Sequence, residues 1–238
     1  MDINRDELYK TLKANFDALT ERIINSCAKA KRDPKEIIIV GATKTVPYYI
    51  IEISIELGLK IVGENRVQEA AEKYQYLGNK IQWHLIGHLQ TNKVKKALEI
   101  FDMIQSVDSH HLALEIEKRA SVLNRSVPIL IEVNTSGEAS KFGVNPKDVF
   151  SLTSEILKLP HLKLQGFMTL GPGLAVQDPE HSRPCFRLLY ELRAKVNKEF
   201  GLELPYLSMG MSSDFEVAIA EGSNMIRIGT LLFGKRPV

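Results

Sequence analysis

The chain has 238 residues, 44% of them hydrophobic, enough to bury one large core, and α/β barrels of this length commonly form a single domain, expected here over residues 1–238. Its 31 basic and 29 acidic side chains nearly cancel to a formal charge of +2, so no broad field draws it to nucleic acid or an anionic membrane. No apolar run approaches the roughly 20 residues needed to span a bilayer, and Met1-Asp2-Ile3-Asn4-Arg5-Asp6-Glu7 lacks the basic-then-apolar order of a secretory signal, so a soluble cytoplasmic protein is expected.

From Leu8 to Ala30 apolar residues recur at helical spacing until Asp33-Pro34 stops the pattern, which predicts a leading amphipathic helix. Cys27, within it, and the distant Cys185 belong to no C-x-x-C or metal-ligand pattern and read as two unpaired packing thiols of a reducing compartment. Ile37-Ile38-Ile39-Val40 follows, a β-branched run without polar alternation, as in a strand buried on both faces. Similar runs return at Lys60 to Val62, Ile81 to Ile86, Met103 to Val107, Val127 to Val133, Leu162 to Phe167, Tyr206 to Met209 and Met225 to Ile228. Helical stretches separate them: Pro47 to Leu57, Arg66 to Tyr76, Asn92 to Leu98, His110 to Leu123, Pro146 to Leu157, Pro179 to Phe200 and Ser213 to Glu221. The rhythm breaks only near Gly171-Pro172-Gly173. Strict alternation of about eight strands with helices predicts a (β/α)8 TIM barrel carrying an extra N-terminal helix. The rival, an open doubly wound sheet, would carry fewer strands and a Gly-rich phosphate turn, which Gly41-Ala42-Thr43-Lys44 is not.

Reactive residues of such barrels lie where the strands end, and these ends are polar. Lys44 follows a very apolar strand, so a desolvated amine able to capture a carbonyl is expected there; the alternative is a lysine whose tip simply reaches water. Gly210-Met211-Ser212-Ser213-Asp214 leads into a helix and offers backbone N–H groups and hydroxyls to a phosphate, although Ser212 or Ser213 could equally serve as an ordinary N-cap. Gly229-Thr230 permits close backbone approach and adds another hydroxyl. Arg227 lies in the middle of a buried strand and needs a partner, either a carboxylate of a neighbouring strand or a ligand. His84 and His88 fall on a strand-to-loop segment, where their spacing does not align two metal ligands. Lys93, Lys95 and Lys96 read as a solvated helix face rather than a nucleic-acid patch, because no aromatics are interleaved.

Taken together, Gly41-Ala42-Thr43-Lys44-Thr45, Gly63-Glu64-Asn65-Arg66-Val67-Gln68-Glu69, the run His84 to Lys93, Gly166-Phe167-Met168-Thr169, Leu207 to Asp214 and Arg227-Ile228-Gly229-Thr230 closely resemble the pyridoxal phosphate homeostasis proteins, the YggS/PROSC family, over nearly the whole chain. The resemblance implies a fold-type III barrel binding pyridoxal 5′-phosphate (PLP), similar to the N-terminal domain of alanine racemase. It implies a Schiff base on Lys44, Arg227 facing the pyridine nitrogen, and Ser212, Gly229 and Thr230 around the phosphate. Asn65 and Met209 would line the ring site, and Lys141, in Ser140-Lys141-Phe142-Gly143, matches a second family lysine linked to cofactor exchange. The tail Gly234-Lys235-Arg236-Pro237-Val238 departs from the family's frequent Gly-x-Arg-x-Tyr ending.

The implied function is to hold PLP and deliver it to apo-enzymes, as a monomer and without amino-acid turnover. An arginine beside the ring nitrogen leaves that nitrogen unprotonated and the ring a poor electron sink. Racemases of this fold also draw an acid/base tyrosine from a second β domain, for which the chain is expected to leave no room. The rivals are a PLP-dependent racemase or lyase, and a PLP-independent barrel enzyme whose Lys44 captures a phosphorylated substrate as aldolases do.

Overall fold

Eight short apolar runs become eight parallel strands: β1 (Ile38–Ala42), β2 (Ile61–Glu64), β3 (Gln82–Leu85), β4 (Met103–Val107), β5 (Val127–Glu132), β6 (Leu162–Met168), β7 (Tyr206–Met211) and β8 (Met225–Ile228). Each pairs with the next, and β8 pairs with β1, closing the barrel. This is a computed structural model, and it describes residues 5–234. The starting residues Met1-Asp2-Ile3-Asn4 and the tail Lys235-Arg236-Pro237-Val238 lie outside the described residues.

The helices are α1 (Arg5–Ala30), α2 (Tyr48–Glu56), α3 (Val67–Leu77), α4 (Val94–Leu98), α5 (His110–Val122), α6 (Val149–Ile156), α7 (Arg183–Phe200), α8 (Phe215–Ala220) and α9 (Thr230–Phe233). In α7 the buried residues Phe186, Leu189, Leu192 and Val196 form one helical stripe, and Gly201 ends the helix in the left-handed region at φ 64°. The N-terminal helix packs against α8 and α9, with Asn15 Nδ2 donating to the Leu232 carbonyl at 2.9 Å. The short α9 was not anticipated, because its four residues are too few to show a period. Among the described residues no helix is long and apolar enough to cross a membrane. Cys27 and Cys185 are both free and buried.

Strand alternation divides the apolar residues into two cores. Val40, Ile61, Met103, Leu130, Met168 and Met225 fill the barrel interior, while a larger set that includes Trp83, Phe167, Leu207 and Ile226 packs between strands and helices. The alternation also points polar residues inward. His84, Gln105, Ser208 and Arg227, from β3, β4, β7 and β8, are all buried and meet inside the barrel.

Candidate functional site

The C-terminal ends of the strands gather most of the expected residues. Beyond β1, Thr43 is buried and its N–H donates to the Gly63 carbonyl at 3.0 Å, so Lys44 emerges half-buried at the barrel rim. Lys44 lines a cavity of ≈ 90 Å³ with Ala42, Ile50, Gly229, Thr230 and Phe233. Its ammonium has no carboxylate partner among the described residues. The next residue, Thr45, adopts φ 65°, a costly conformation for a β-branched side chain that the surroundings must impose.

Those surroundings are a buried charge cluster that sequence reading missed. Lys73 Nζ, reaching in from α3, donates to the Thr43 carbonyl, Glu64 Oε1 and Glu69 Oε1, each at 2.7 Å. Glu69 Oε1 also accepts the Thr45 N–H at 2.5 Å. Burial pushes the Glu64 carboxyl above its ordinary range, against the pull of Lys73 and the Thr43 hydroxyl, and its Oε2 has no partner. Burial pushes Glu69 the same way, but the hydrogen bonds from Lys73 and Thr45 prevail and hold it below its ordinary range. The only sequence signal was the i, i+4 pair Glu69 and Lys73, which on a helix normally marks a solvated face.

After β7 the chain turns at Gly210, φ 95°, where an added Cβ would stand 2.9 Å from the Phe215 Cα. Asp214, not Ser212 or Ser213, stands at the N-cap of α8. Its Oδ1 accepts the Met211 N–H at 2.7 Å and its Oδ2 the Ser182 hydroxyl at 2.6 Å. Ser212 is thereby free to turn toward β8, where its Oγ accepts the Gly229 N–H at 3.3 Å. Ser212 thus reaches Gly229, which with Thr230 lines the cavity that holds Lys44.

Arg227 is buried and forms no ion pair among the described residues. It donates to Ser208 Oγ and to the Thr169 carbonyl, both at 2.7 Å, leaving donors to spare. Burial draws the guanidinium down to about 10, partly offset by the charges of Asp214 and Glu132, so it stays cationic at neutral pH. Glu132, at the end of β5, is pushed up to about 7 by burial and by Asp108, against the attraction of Arg227.

Across the mouth a second cavity of ≈ 810 Å³ is lined by Asn65, Ile86, His88, Lys93, Glu132 and Phe142, among others. Asn65 is fixed where Gly87 passes so closely that a Cβ there would come within 2.5 Å of the Asn65 carbonyl. Phe142 stacks on His88 with ring centroids 4.0 Å apart. Lys141 lines neither cavity; its ammonium is held by Glu138 at 2.7 Å and by the Gly171 carbonyl. Met209 is fully buried in the core between strands and helices and also lines neither.

A closed parallel barrel with this arrangement at its mouth is an alanine-racemase-like barrel, and residues 10–237 match the family model described as alanine racemase, N-terminal domain. The pyridoxal phosphate homeostasis protein of Aquifex aeolicus is 48% identical over 91% of this chain and 94% of its own length. PipY of Synechococcus elongatus PCC7942, solved with PLP bound, superposes with a TM-score of 0.78 at 34% identity, over 90% of this chain and 99% of that one. An alanine racemase of Clostridium difficile 630 shares the fold, with a TM-score of 0.72 at 17% identity over 92% of this chain and 57% of its own. The chain belongs to the family of pyridoxal phosphate homeostasis proteins.

Proposed function

We propose that this chain binds PLP at the rim between β1 and β8, holds it covalently through Lys44, and hands it on to apo-enzymes without turning over amino acids. The observation that carries this reading is the cavity shared by Lys44, Gly229 and Thr230, with Ser212 hydrogen-bonded to Gly229 beside it. An amine and a buried guanidinium that have no carboxylate partner among the described residues, with two hydroxyls, form a donor set that fits an aldehyde joined to a basic ring and a phosphate. PLP, when bound, supplies a reactive aldehyde and an electron-accepting ring. The solved relative PipY, described with PLP bound, supports the assignment.

In this reading Ser212, Gly229 and Thr230 meet the phosphate. Arg227 presents N–H donors that keep their protons at neutral pH, so a ring nitrogen facing it remains unprotonated. Asn65 bounds the ring site from the mouth, whereas Met209 supports it from within the core. Lys141, tethered at the rim, is the residue assigned to cofactor exchange. We further assign the protein to the cytoplasm, as a monomer, in keeping with its two free thiols.

The test mixes PLP-loaded protein with a PLP-dependent apo-enzyme and a scavenger of free PLP, and separately incubates it with amino acids in deuterated water. Activation above the scavenged control, without α-deuteration, is expected. No activation removes the delivery role, and Lys44-dependent α-deuteration of an amino acid would make the protein an enzyme.

A further inference from the structure

The polar residues inside the barrel form a chain with a single direction. Arg227 donates to Ser208 Oγ at 2.7 Å, and Ser208 Oγ donates to Gln105 Oε1 at 2.6 Å. Gln105 has then committed its carbonyl, so its Nε2 is the donor to His84 Nδ1 at 2.8 Å. A neutral imidazole that accepts at Nδ1 carries its proton on Nε2. Burial draws His84 down to about 4, so the ring is neutral at physiological pH. The chain therefore ends in one N–H donor, and His84 Nε2 has no hydrogen-bond partner among the described residues.

That donor does not end in packed protein. His84 lines a cavity of ≈ 450 Å³ whose wall includes Ile38, Ile61, Gln82, Met103, Tyr206 and Met225. These are the first residues of β1, β2, β3, β4, β7 and β8, so the cavity lies at the N-terminal end of the barrel, opposite Lys44. Besides the imidazole, its polar side chains are those of Lys60, Gln82 and Tyr206, and the rest of the lining is apolar or glycine. A mostly apolar chamber with a tautomer-fixed donor on a buried side chain is the usual composition of a small-molecule site. Opening on the cavity, that donor gains more from an acceptor than from a hydrocarbon, and a neutral imidazole offers no charge to a carboxylate.

We propose that this cavity is a second ligand site, for a compact, uncharged and mostly apolar molecule bearing one hydrogen-bond acceptor for His84 Nε2–H, and that its occupant acts on Arg227 through Gln105 and Ser208. The binding part stands by itself; the effect on the cofactor rests on the function proposed above. Coupling requires only that filling the acceptor position alter the far end of an already polarised chain of hydrogen bonds.

The experiment titrates PLP-free protein, labelled with 15N-histidine, with cyclohexanone and with methylenecyclohexane, a hydrocarbon of the same shape that lacks the carbonyl oxygen. Cyclohexanone should shift the His84 Nε2 resonance and bind about tenfold more tightly than the hydrocarbon, the ratio expected of one buried donor met or unmet. Met103 pairs with His84 across β3 and β4 but makes no hydrogen bond in the chain, so Met103→Phe should fill the cavity and abolish binding while the Gln105–His84 hydrogen bond, read at the His84 Nδ1 resonance, persists. His84→Phe should remove the preference for the ketone. Saturating cyclohexanone should then change the PLP dissociation constant of the wild-type protein by about fivefold, and that of Met103→Phe not at all. An unshifted His84 resonance, equal affinity for the two probes, or binding in Met103→Phe overturns the site. Binding at His84 with an unchanged PLP constant overturns the coupling, and failure to bind PLP at all would strike the proposed function while leaving the His84 titration to decide the site.

Discussion

Lys73 Nζ lies 2.7 Å from Glu64 Oε1 with both side chains almost wholly buried, and the same ammonium holds the carbonyl of Thr43, the residue before Lys44. The segment that carries the reactive amine is therefore held twice, by its own turn, in which the Val46 N–H donates to the Thr43 carbonyl at 2.9 Å, and from beneath by a charge cluster.

Breaking that pair on one side should be costly. Lys73→Met leaves the Glu64 carboxylate buried and unpaired and should destabilise the fold by about 3–5 kcal/mol, whereas Lys73→Met with Glu64→Gln should recover most of the loss. Urea unfolding of the three proteins measures this. Equal stability of the single and double variants would contradict the cluster's role.

Ser212→Ala and Thr230→Ala should each weaken PLP binding by about ten- to a hundredfold, the worth of a hydrogen bond to a charged acceptor, while hardly changing affinity for dephosphorylated pyridoxal. Fluorescence titration with the two ligands separates the outcomes. Equal losses for both ligands would mean that the hydroxyls serve the loop around Gly229 and not a phosphate.

Glu132 should give stability an acid-side excess. Its folded pKa, about 7, lies above the ordinary 4.5, so the native state binds more protons between those values. The contribution is fully present below the ordinary pKa and is lost as pH rises through about 7. Glu132→Gln should therefore lose less stability than the wild type between pH 5 and pH 8, by on the order of 1–3 kcal/mol. Unfolding curves across that window decide it, and parallel profiles for the two proteins would contradict the assignment. The comparison must be between these two proteins, because His84, lowered to about 4, titrates with the opposite sign on the acid side.

The strands were legible because each is a short run of apolar residues, and the order of runs and helices sufficed for a closed barrel. Lys44, Ser212, Gly229 and Thr230 were legible because they sit where such runs end, and the structure brings them together. Side-chain partners were not legible. Arg227 carried the signature of a buried charge, but nothing in its own strand says that Ser208 and the Thr169 carbonyl would replace a carboxylate. Gln105 lies 103 residues from Ser208, and only barrel closure makes them neighbours. The N-cap reading of Ser212 and Ser213 gave way to Asp214, whose carboxylate caps no N–H of α8 but ties the preceding loop to Met211 and Ser182, contacts that the local sequence does not show.

The central claim is that Lys44 is the residue that holds PLP, and borohydride reduction of the PLP-loaded protein followed by peptide mapping tests it most directly. The account predicts one pyridoxyl group on the peptide containing Lys44, and none when Lys44 is replaced by alanine. A pyridoxyl group found mainly on Lys141, Lys73 or another lysine, or labelling that persists unchanged in Lys44→Ala, would contradict it.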